Sequence, residues 1–318
     1  MIYAPVVIPT LNRYKHLRQC LESLSKCTLA EETEVYVALD YPPSEKYVEG
    51  WQKTREYLHA IGNLNFKKIH LIERTENYGT WNPGDKGNAK YLIADISKQY
   101  DRYIFTEDDN IFSPCFLEYM NKGLEAFHDD EKVFAISGFK WYFPIKYKNN
   151  TYFRQCVDYT PWGMGKWVRK KDKITGDWFR NQLTIRNICS LLKRGEINVL
   201  GSLFEFACRM HKNDIIIDRH MRVIMALKQY EVITPVFSLV KNIGLDGSGV
   251  TMPKNNATME QLYESVELSK DAHFDFIGSG YEYYKTNNTA YRLGKEWRTK
   301  WYYWKRLLKK SIKFVLYN

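Results

Sequence analysis

Apolar and polar positions alternate in short blocks over the first hundred residues, and the period changes from block to block. Residues 3 to 8 form a β-branched apolar run that stops at the turn signal Pro9-Thr10-Leu11-Asn12. Leu17, Cys20, Leu21 and Leu24 then recur at helical spacing. Glu34 to Leu39 predicts a second strand, ending in Asp40 and the turn Tyr41-Pro42-Pro43, and a helix follows over about Glu45 to Ile61. Lys68 to Ile72 predicts a third strand, Asn77 to Gly87 a polar, glycine-bearing loop, and Asn88 to Tyr100 a helix. Arg102 to Thr106 predicts a fourth strand that runs into Glu107-Asp108-Asp109. Strands alternating with helices imply an α/β fold with a mostly parallel sheet covered on both faces.

The pattern is less regular afterwards. Val133 to Ser137 predicts a fifth strand, and Gly138 to Lys171 is rich in aromatic residues and turns. Helices are predicted across Asn181 to Lys193 and Arg219 to Lys228, and Val232 to Leu239 reads as a last strand. Ligands of such sheets bind beyond the carboxyl ends of the strands. Thr10 to Arg13, Asp40 and Glu107 to Asp109 therefore converge on one edge, although they are far apart in sequence.

Composition narrows the class. The chain has 318 residues, 44% apolar and 26% charged, enough apolar side chains for a sizeable core. No apolar run approaches the roughly 20 residues that cross a bilayer. The first residues lack a basic n-region and meet Pro5 and Pro9 early, so the expectation is a cytoplasmic chain. The six cysteines include no C-x-x-C pair and are spread too widely for zinc, which predicts mostly reduced, buried thiols. In that compartment the sequons at Asn149, Asn256 and Asn287 carry no glycan. The net charge is +10, but Tyr291 to Asn318 holds nine Lys/Arg against one Glu, leaving about +2 on the body. A nearly neutral body argues against nucleic acid as the partner.

Three adjacent carboxylates repel one another unless a cation offsets them, and magnesium or manganese takes such hard oxygen ligands together with substrate phosphates. The alternative for Glu107-Asp108-Asp109 is an acidic turn or helix cap. Its place after the fourth strand, with Asp40 after the second, favours the metal reading.

Several segments resemble GT-A fold nucleotide-sugar glycosyltransferases. They are Pro5 to Arg13 followed by Leu17, Leu21, Ser23 and Leu24, which is similar to their opening, and Glu107-Asp108-Asp109, similar to the acidic D-x-D motif in the E-D-D form of the N-acetylglucosaminyltransferase I-like branch. Pro161-Trp162-Gly163-Met164-Gly165-Lys166-Trp167 resembles the W-G-x-x-x-W stretch of bacterial polysaccharide glycosyltransferases (family 2-like), and Phe237 to Gly249 their closing segment. The resemblance spans residues 3 to about 250 and implies a GT-A-like fold with residues 1–140 as the donor half and 141–250 as the acceptor half; beyond it, 251–290 reads as an extension and 291–318 as a tail helix. It implies an inverting hexosyl- or N-acetylhexosaminyltransferase that takes a nucleotide-diphosphate sugar, a UDP-sugar above all, and serves surface polysaccharide assembly. Pro9, Thr10 and Arg13 would line the nucleotide, Asp40 would reach the base, Glu107 and Asp108 the ribose and sugar, and Asp109 would be the direct ligand of Mn2+ or Mg2+. Relatives often continue the closing segment to a metal-binding histidine, whereas Gly249 is followed here by Val250-Thr251-Met252.

Reaction chemistry adds candidates. Lys86 would supplement the cation at the departing diphosphate, and a carboxylate from the second half would accept the acceptor proton. Asp218 is the first candidate, or else an N-cap of the following helix, and Glu205 is the second. Trp162 and Trp167 offer a sugar a flat face, or else belong to the core. His211 and His220 lack the spacing of a zinc pair, and Gly247-Ser248-Gly249 lies outside any βαβ unit.

On a helical wheel Trp297, Trp301, Trp304, Leu308, Ile312 and Val315 fall within about 80°, with Arg298, Lys305, Arg306, Lys309, Lys310 and Lys313 on the adjoining and opposite faces. This stripe suits an anionic membrane surface at the inner face of the cell membrane, and so a lipid-linked saccharide acceptor, or else packs on the body. Two rivals remain. A sugar nucleotidyltransferase needs a glycine-rich basic loop where Pro9 to Arg13 stands, and a nucleic-acid or anionic-surface binding module leaves the acidic strand end without a task.

Overall fold

The structure is a computed structural model that describes residues 3–62, 64–79, 87–140, 152–156, 159–169, 178–209, 217–244, 246, 248, 283–284, 301, 304–305, 307–309 and 311. The first half alternates as its pattern predicts: β1 (Val6–Thr10), α1 (Tyr14–Leu24), β2 (Glu34–Leu39), α2 (Val48–His59), β3 (Lys68–Glu73), α3 (Asn88–Ile96) and β4 (Arg102–Phe105). These are followed by β5 (Asn110–Phe112), α4 (Phe116–Ala126), β6 (Val133–Ser137), β7 (Tyr152–Cys156) and β8 (Met164–Trp167). Four helices come next, α5 (Trp178–Asn181), α6 (Ile185–Lys193), α7 (Ile197–Arg209) and α8 (Ile217–Lys228). The last strands are β9 (Glu231–Pro235), β10 (Val240–Asn242) and β11 (Tyr283–Tyr284).

Among the described residues nine strands form one sheet in the order β11-β7-β9-β6-β8-β4-β1-β2-β3, while β5 and β10 pair separately. The fold is α/β and the sheet mostly parallel: β3, β2, β1 and β4 run together, β6 and β9 run with each other, and β8 lies antiparallel between β4 and β6. The carboxyl ends of β1, β2, β3, β4, β6 and β9 therefore share one edge.

Strand residues are apolar on both faces because helices cover both. Val6, Ile8, Val35, Val37, Leu39 and Ile104 pack with Leu17, Cys20, Leu21 and Leu24 of α1, and with α4. Their neighbours Val7, Tyr36, Ala38, Tyr103 and Phe105 pack on Ala89, Leu92 and Ile96 of α3. Each such side chain, fully buried, contributes about 1.5–3 kcal/mol, so a one-residue slip of β1 would disrupt both layers. Gly50 of α2 lies so close to the β1–α1 loop that a Cβ there would stand 2.6 Å from the Asn12 carbonyl oxygen. That approach supports the loop leading to Arg13.

The second half departs from its pattern. The strand expected over Val232 to Leu239 stops at Pro235, and residues 240–242 instead pair antiparallel with β5. The stretch expected to be turns before Lys171 contains β8, an interior strand. A separate helical layer gathers Phe179, Leu191, Val199, Leu200, Leu203, Phe206, Val223 and Ala226.

Leu307 of the tail joins this layer at 8% exposure, whereas Trp301, Trp304 and Leu308 are 59%, 46% and 62% exposed. Lys305 lies 5.3 Å from the Trp301 ring centre. The tail is thus anchored through a residue off the predicted stripe, and three members of the stripe stay in solvent. Trp297, Ile312 and Val315 lie outside the described residues. No helix among the described residues is long and apolar enough to cross a membrane. Cys20, Cys27 and Cys115 are buried free thiols, and Cys189 is exposed.

Candidate active site

Arg13 occupies the N-cap position of α1, where its carbonyl accepts from the His16 and Leu17 amides at 3.0 Å each. With the backbone pinned there, the guanidinium reaches the residues after β4. Its Nη1 donates to Asp109 Oδ2 at 2.7 Å and its Nη2 donates to Asp108 Oδ1. Thr10, the last residue of β1, donates its hydroxyl to Asp108 Oδ2 at 2.7 Å across a separation of 98 residues.

The β5–β10 pair delivers the remaining partner. Asn242 lies opposite Asn110 in that ribbon, and its Nδ2 donates to Asp109 Oδ1 at 2.7 Å. The Ile243 amide donates to the Asp109 carbonyl at 2.8 Å, and the Gly244 amide to Asn242 Oδ1 at 2.9 Å. Gly244 is required by contact: a Cβ there would overlap the Asp109 carboxylate. Further along, Asp246 Oδ2 lies 3.2 Å from His16 Nε2 of α1, so the closing segment spans the acidic centre.

Asp108 and Asp109 are buried, at 4% and 6% exposure. Burial is the larger influence on Asp108 and raises it, Arg13 pulls it down, and the Asp109 charge adds to the rise. Burial opposes the Arg13 charge, but Asp108 and Asp109 outweigh it and hold the guanidinium above its ordinary value.

Asp40, directly after β2, is held by a different set of donors. Oδ1 accepts from the Tyr41 amide at 3.0 Å and the Tyr78 amide at 2.9 Å. Oδ2 accepts from the Gly79 amide at 2.9 Å and Asn77 Nδ2 at 3.2 Å. Burial nevertheless raises this carboxyl above its usual range. Beside it, after β3, Arg74 donates through Nε to Asn88 Oδ1 at 3.0 Å and lies 5.5 Å from the Tyr78 ring centre. Its Nη2 is buried without a hydrogen-bond partner. A buried donor left unmade costs about 1–3 kcal/mol.

Glu107 Oε2 accepts from Trp162 Nε1 at 2.8 Å, and the half-buried Trp162 ring meets Phe139 edge-on at 4.8 Å. Lys140, after β6, lies on the same sheet edge, and burial lowers its ammonium to about 8.

The structure thus brings together Thr10, Arg13, Asp40, Glu107, Asp108, Asp109 and Trp162, with Pro9 in β1 beside them. Trp167 does not join them. It pairs with Arg102 at the far end of β4, is 1% exposed, and donates its Nε1 to the Leu124 carbonyl, so it is core and not a face for a sugar. Asp218 is the second residue of α8 and not the cap preceding it. Glu205 is buried in α7. Lys86 and His211 lie outside the described residues, and His220 stacks on Phe206 at 3.9 Å. Sequence reading missed Arg74, Asn242 and Lys140. Arg74 was accessible by the same rule that found Asp40, since it directly follows a strand.

The expected metal ligands do not fit a divalent ion as they stand. Each Asp109 oxygen accepts from a side-chain donor, the guanidinium bridges Asp108 and Asp109, and no group of three or more His, Cys, Asp and Glu among the described residues is placed to hold a metal.

No family model matches the chain, and no curated protein matches it. Solved structures do. The mannosyltransferase PcManGT from Pyrobaculum calidifontis, in complex with GDP-Man and Mn2+, is 14% identical over 52% of this chain and 46% of its own, with a TM-score of 0.34. S. aureus TarS 1-349 is 15% identical over 73% and 57%, with a TM-score of 0.37. The glycosyltransferase GlyE in Streptococcus pneumoniae TIGR4 is 14% identical over 73% and 45%, with a TM-score of 0.30. The chain spans about half the length of these structures, and likeness at this level does not decide its chemistry.

Proposed function

We propose that this chain is a GT-A-type glycosyltransferase that moves a hexosyl or N-acetylhexosaminyl group, with inversion, from a nucleoside-diphosphate sugar to a saccharide hydroxyl. A UDP-sugar is the first donor to try. The observation that carries the reading is the gathering of Thr10, Arg13, Asp40, Arg74 and Glu107 to Asp109 at one carboxyl edge of the sheet, where α/β folds bind ligands. Residues 1–140 supply the donor side and 141–250 the acceptor side.

Arg13 and Arg74 are the cations for the diphosphate. Three N–H groups of Arg13 remain beyond the two that hold the carboxylates, and Arg74 has its unpartnered Nη2. Asp40 holds the Tyr78–Gly79 backbone beside the base and ribose, and Trp162, oriented by Glu107, offers its ring to the acceptor. In the transfer the acceptor oxygen attacks the anomeric carbon, the bond to the diphosphate breaks with its electron pair going to phosphate oxygen, and the hydroxyl proton passes to a carboxylate. Asp218 is our choice for that base, with Glu205 second.

The exposed Trp301, Trp304 and Leu308, with Lys305 and Lys309 alongside, favour a peripheral seat on an anionic leaflet and hence a lipid-linked acceptor. Trp301→Ala with Trp304→Ala should weaken binding to phosphatidylglycerol vesicles even at high salt; unchanged binding removes this part of the reading.

The experiment for the enzyme is a thermal-shift panel of UDP-, GDP- and CMP-sugars, followed by turnover with the donor that responds. One nucleotide should raise the melting temperature by about 2–4 °C. Asp218→Asn should keep that shift and lose about 10²-fold or more in kcat. No shift and no hydrolysis of any donor would reject a glycosyltransferase.

A further inference from the structure

The acidic pair after β4 already has its cation. One guanidinium spans both carboxylates, Thr10 and Asn242 take the other two oxygens, and Gly244 closes against Asp109 Oδ2. A hard divalent ion would need about 2.1 Å to the same oxygens and several further oxygen ligands. It would have to enter where the Arg13 terminal nitrogens stand, at 8% and 5% exposure of the Asp109 and Asp108 side chains. The Arg13 backbone is fixed as the α1 cap, and its side chain is 19% exposed, enough for its outer N–H edge to meet a ligand while its inner edge stays on the carboxylates.

We propose that Arg13 is the built-in counter-ion of Asp108 and Asp109, occupying the place a divalent metal would take, so that the site binds a nucleoside diphosphate without one. This rests on reading the edge as a nucleotide-diphosphate site. The guanidinium offsets one of the two carboxylate charges, fixes both side chains, and turns its remaining N–H groups to the phosphates. Arg and phosphate pair in the same planar, forked geometry as Arg and carboxylate, so one side chain serves both. Asn242 is the positioning residue that keeps Asp109 turned toward Arg13.

The test has two arms on the full chain. In the first, Mn2+ alone is titrated and followed by electron paramagnetic resonance. The wild type should take up no Mn2+ below millimolar concentration, whereas Arg13→Ala, which uncovers both carboxylates, should gain one site bound at least about tenfold more tightly. Arg13→Lys, which keeps the charge, should still exclude Mn2+. In the second arm, UDP and GDP are titrated calorimetrically with EDTA or with Mn2+. The affinity of the responding nucleotide should change less than about threefold between the two conditions and fall about tenfold or more in Arg13→Lys, which lacks the fork. One Mn2+ per wild-type chain at micromolar concentration, or nucleotide binding lost by about tenfold in EDTA, would overturn the inference. If neither nucleotide binds under any condition, the reading of the edge as a site for uridine or guanosine diphosphate fails, and the wild-type Mn2+ titration, which needs no variant, decides the counter-ion by itself.

Discussion

Two acidic strand ends lie on the same sheet edge and are held by opposite means. Asp40, after β2, receives three backbone amides and one side-chain amide, all neutral. Asp108 and Asp109, after β4, receive side chains alone, with a full positive charge between them. Backbone donors bring a loop with them, so the first arrangement fixes shape. Side-chain donors bring charge, so the second fixes potential. The carboxyl group is the same in both, and the source of its donors decides what it does.

The comparison breaks most sharply at Asp108. Asp108→Ala strands Arg13 beside one remaining carboxylate and removes the acceptor of Thr10, and we expect a loss of about 3 kcal/mol in urea unfolding. A variant as stable as the wild type would mean that the charged arrangement is no part of the fold. Asp40→Ala leaves the Tyr41, Tyr78 and Gly79 amides without their acceptor and should cost about 2 kcal/mol, with faster hydrogen exchange confined to those amides. Asp40→Asn keeps one acceptor oxygen and should recover part of the loss.

The smallest effect sharpens the contrast within a single strand. Glu34 opens β2 as Asp40 follows its end, but Lys67, through its hydrogen bond, holds Glu34 down at about 2, against burial and with help from His70. Its folded value lies below the unfolded one, so its stabilisation is present above about pH 4.5 and is lost as pH falls to about 2. Glu34→Gln should therefore cost about 0.5–1 kcal/mol at pH 7 and nothing at pH 2. Asp40 is raised instead, so folding favours its protonated form and its titration acts against stability as pH rises through its range.

The strands and helices of the first half were legible because each element is long enough to show its period, and because apolar residues on both strand faces are the mark of a sheet covered twice. The second half was not. Met164-Gly165-Lys166-Trp167 has no β-branched residue and no alternation, yet it forms an interior strand because β4 and β6 offer their edges to it. β5 and β10 are three residues each, below any periodic signal. The acidic run and Asp40 could be located from the strand-end rule alone. The pairing of Arg13 with Asp109 could not, since nothing local in either segment announces a partner 96 positions away. Trp167 failed as a site residue for the same reason: a tryptophan two residues from a glycine looks the same in sequence whether it faces solvent or the core.

The β5–β10 ribbon also has a temporal consequence. It joins residues 110–112 to residues 240–242, and through it Asn242 reaches Asp109 from 133 positions away. Such a closure cannot form until most of the chain has left the ribosome, and its entropic cost falls late, after the β1–β4 layer has the local contacts it needs to collapse. The nascent protein therefore assembles its frame first and completes its charged centre last. A chain cut short before residue 240 would leave Asp109 without its amide partner, which makes that one hydrogen bond a readout of whether synthesis ran past the ribbon.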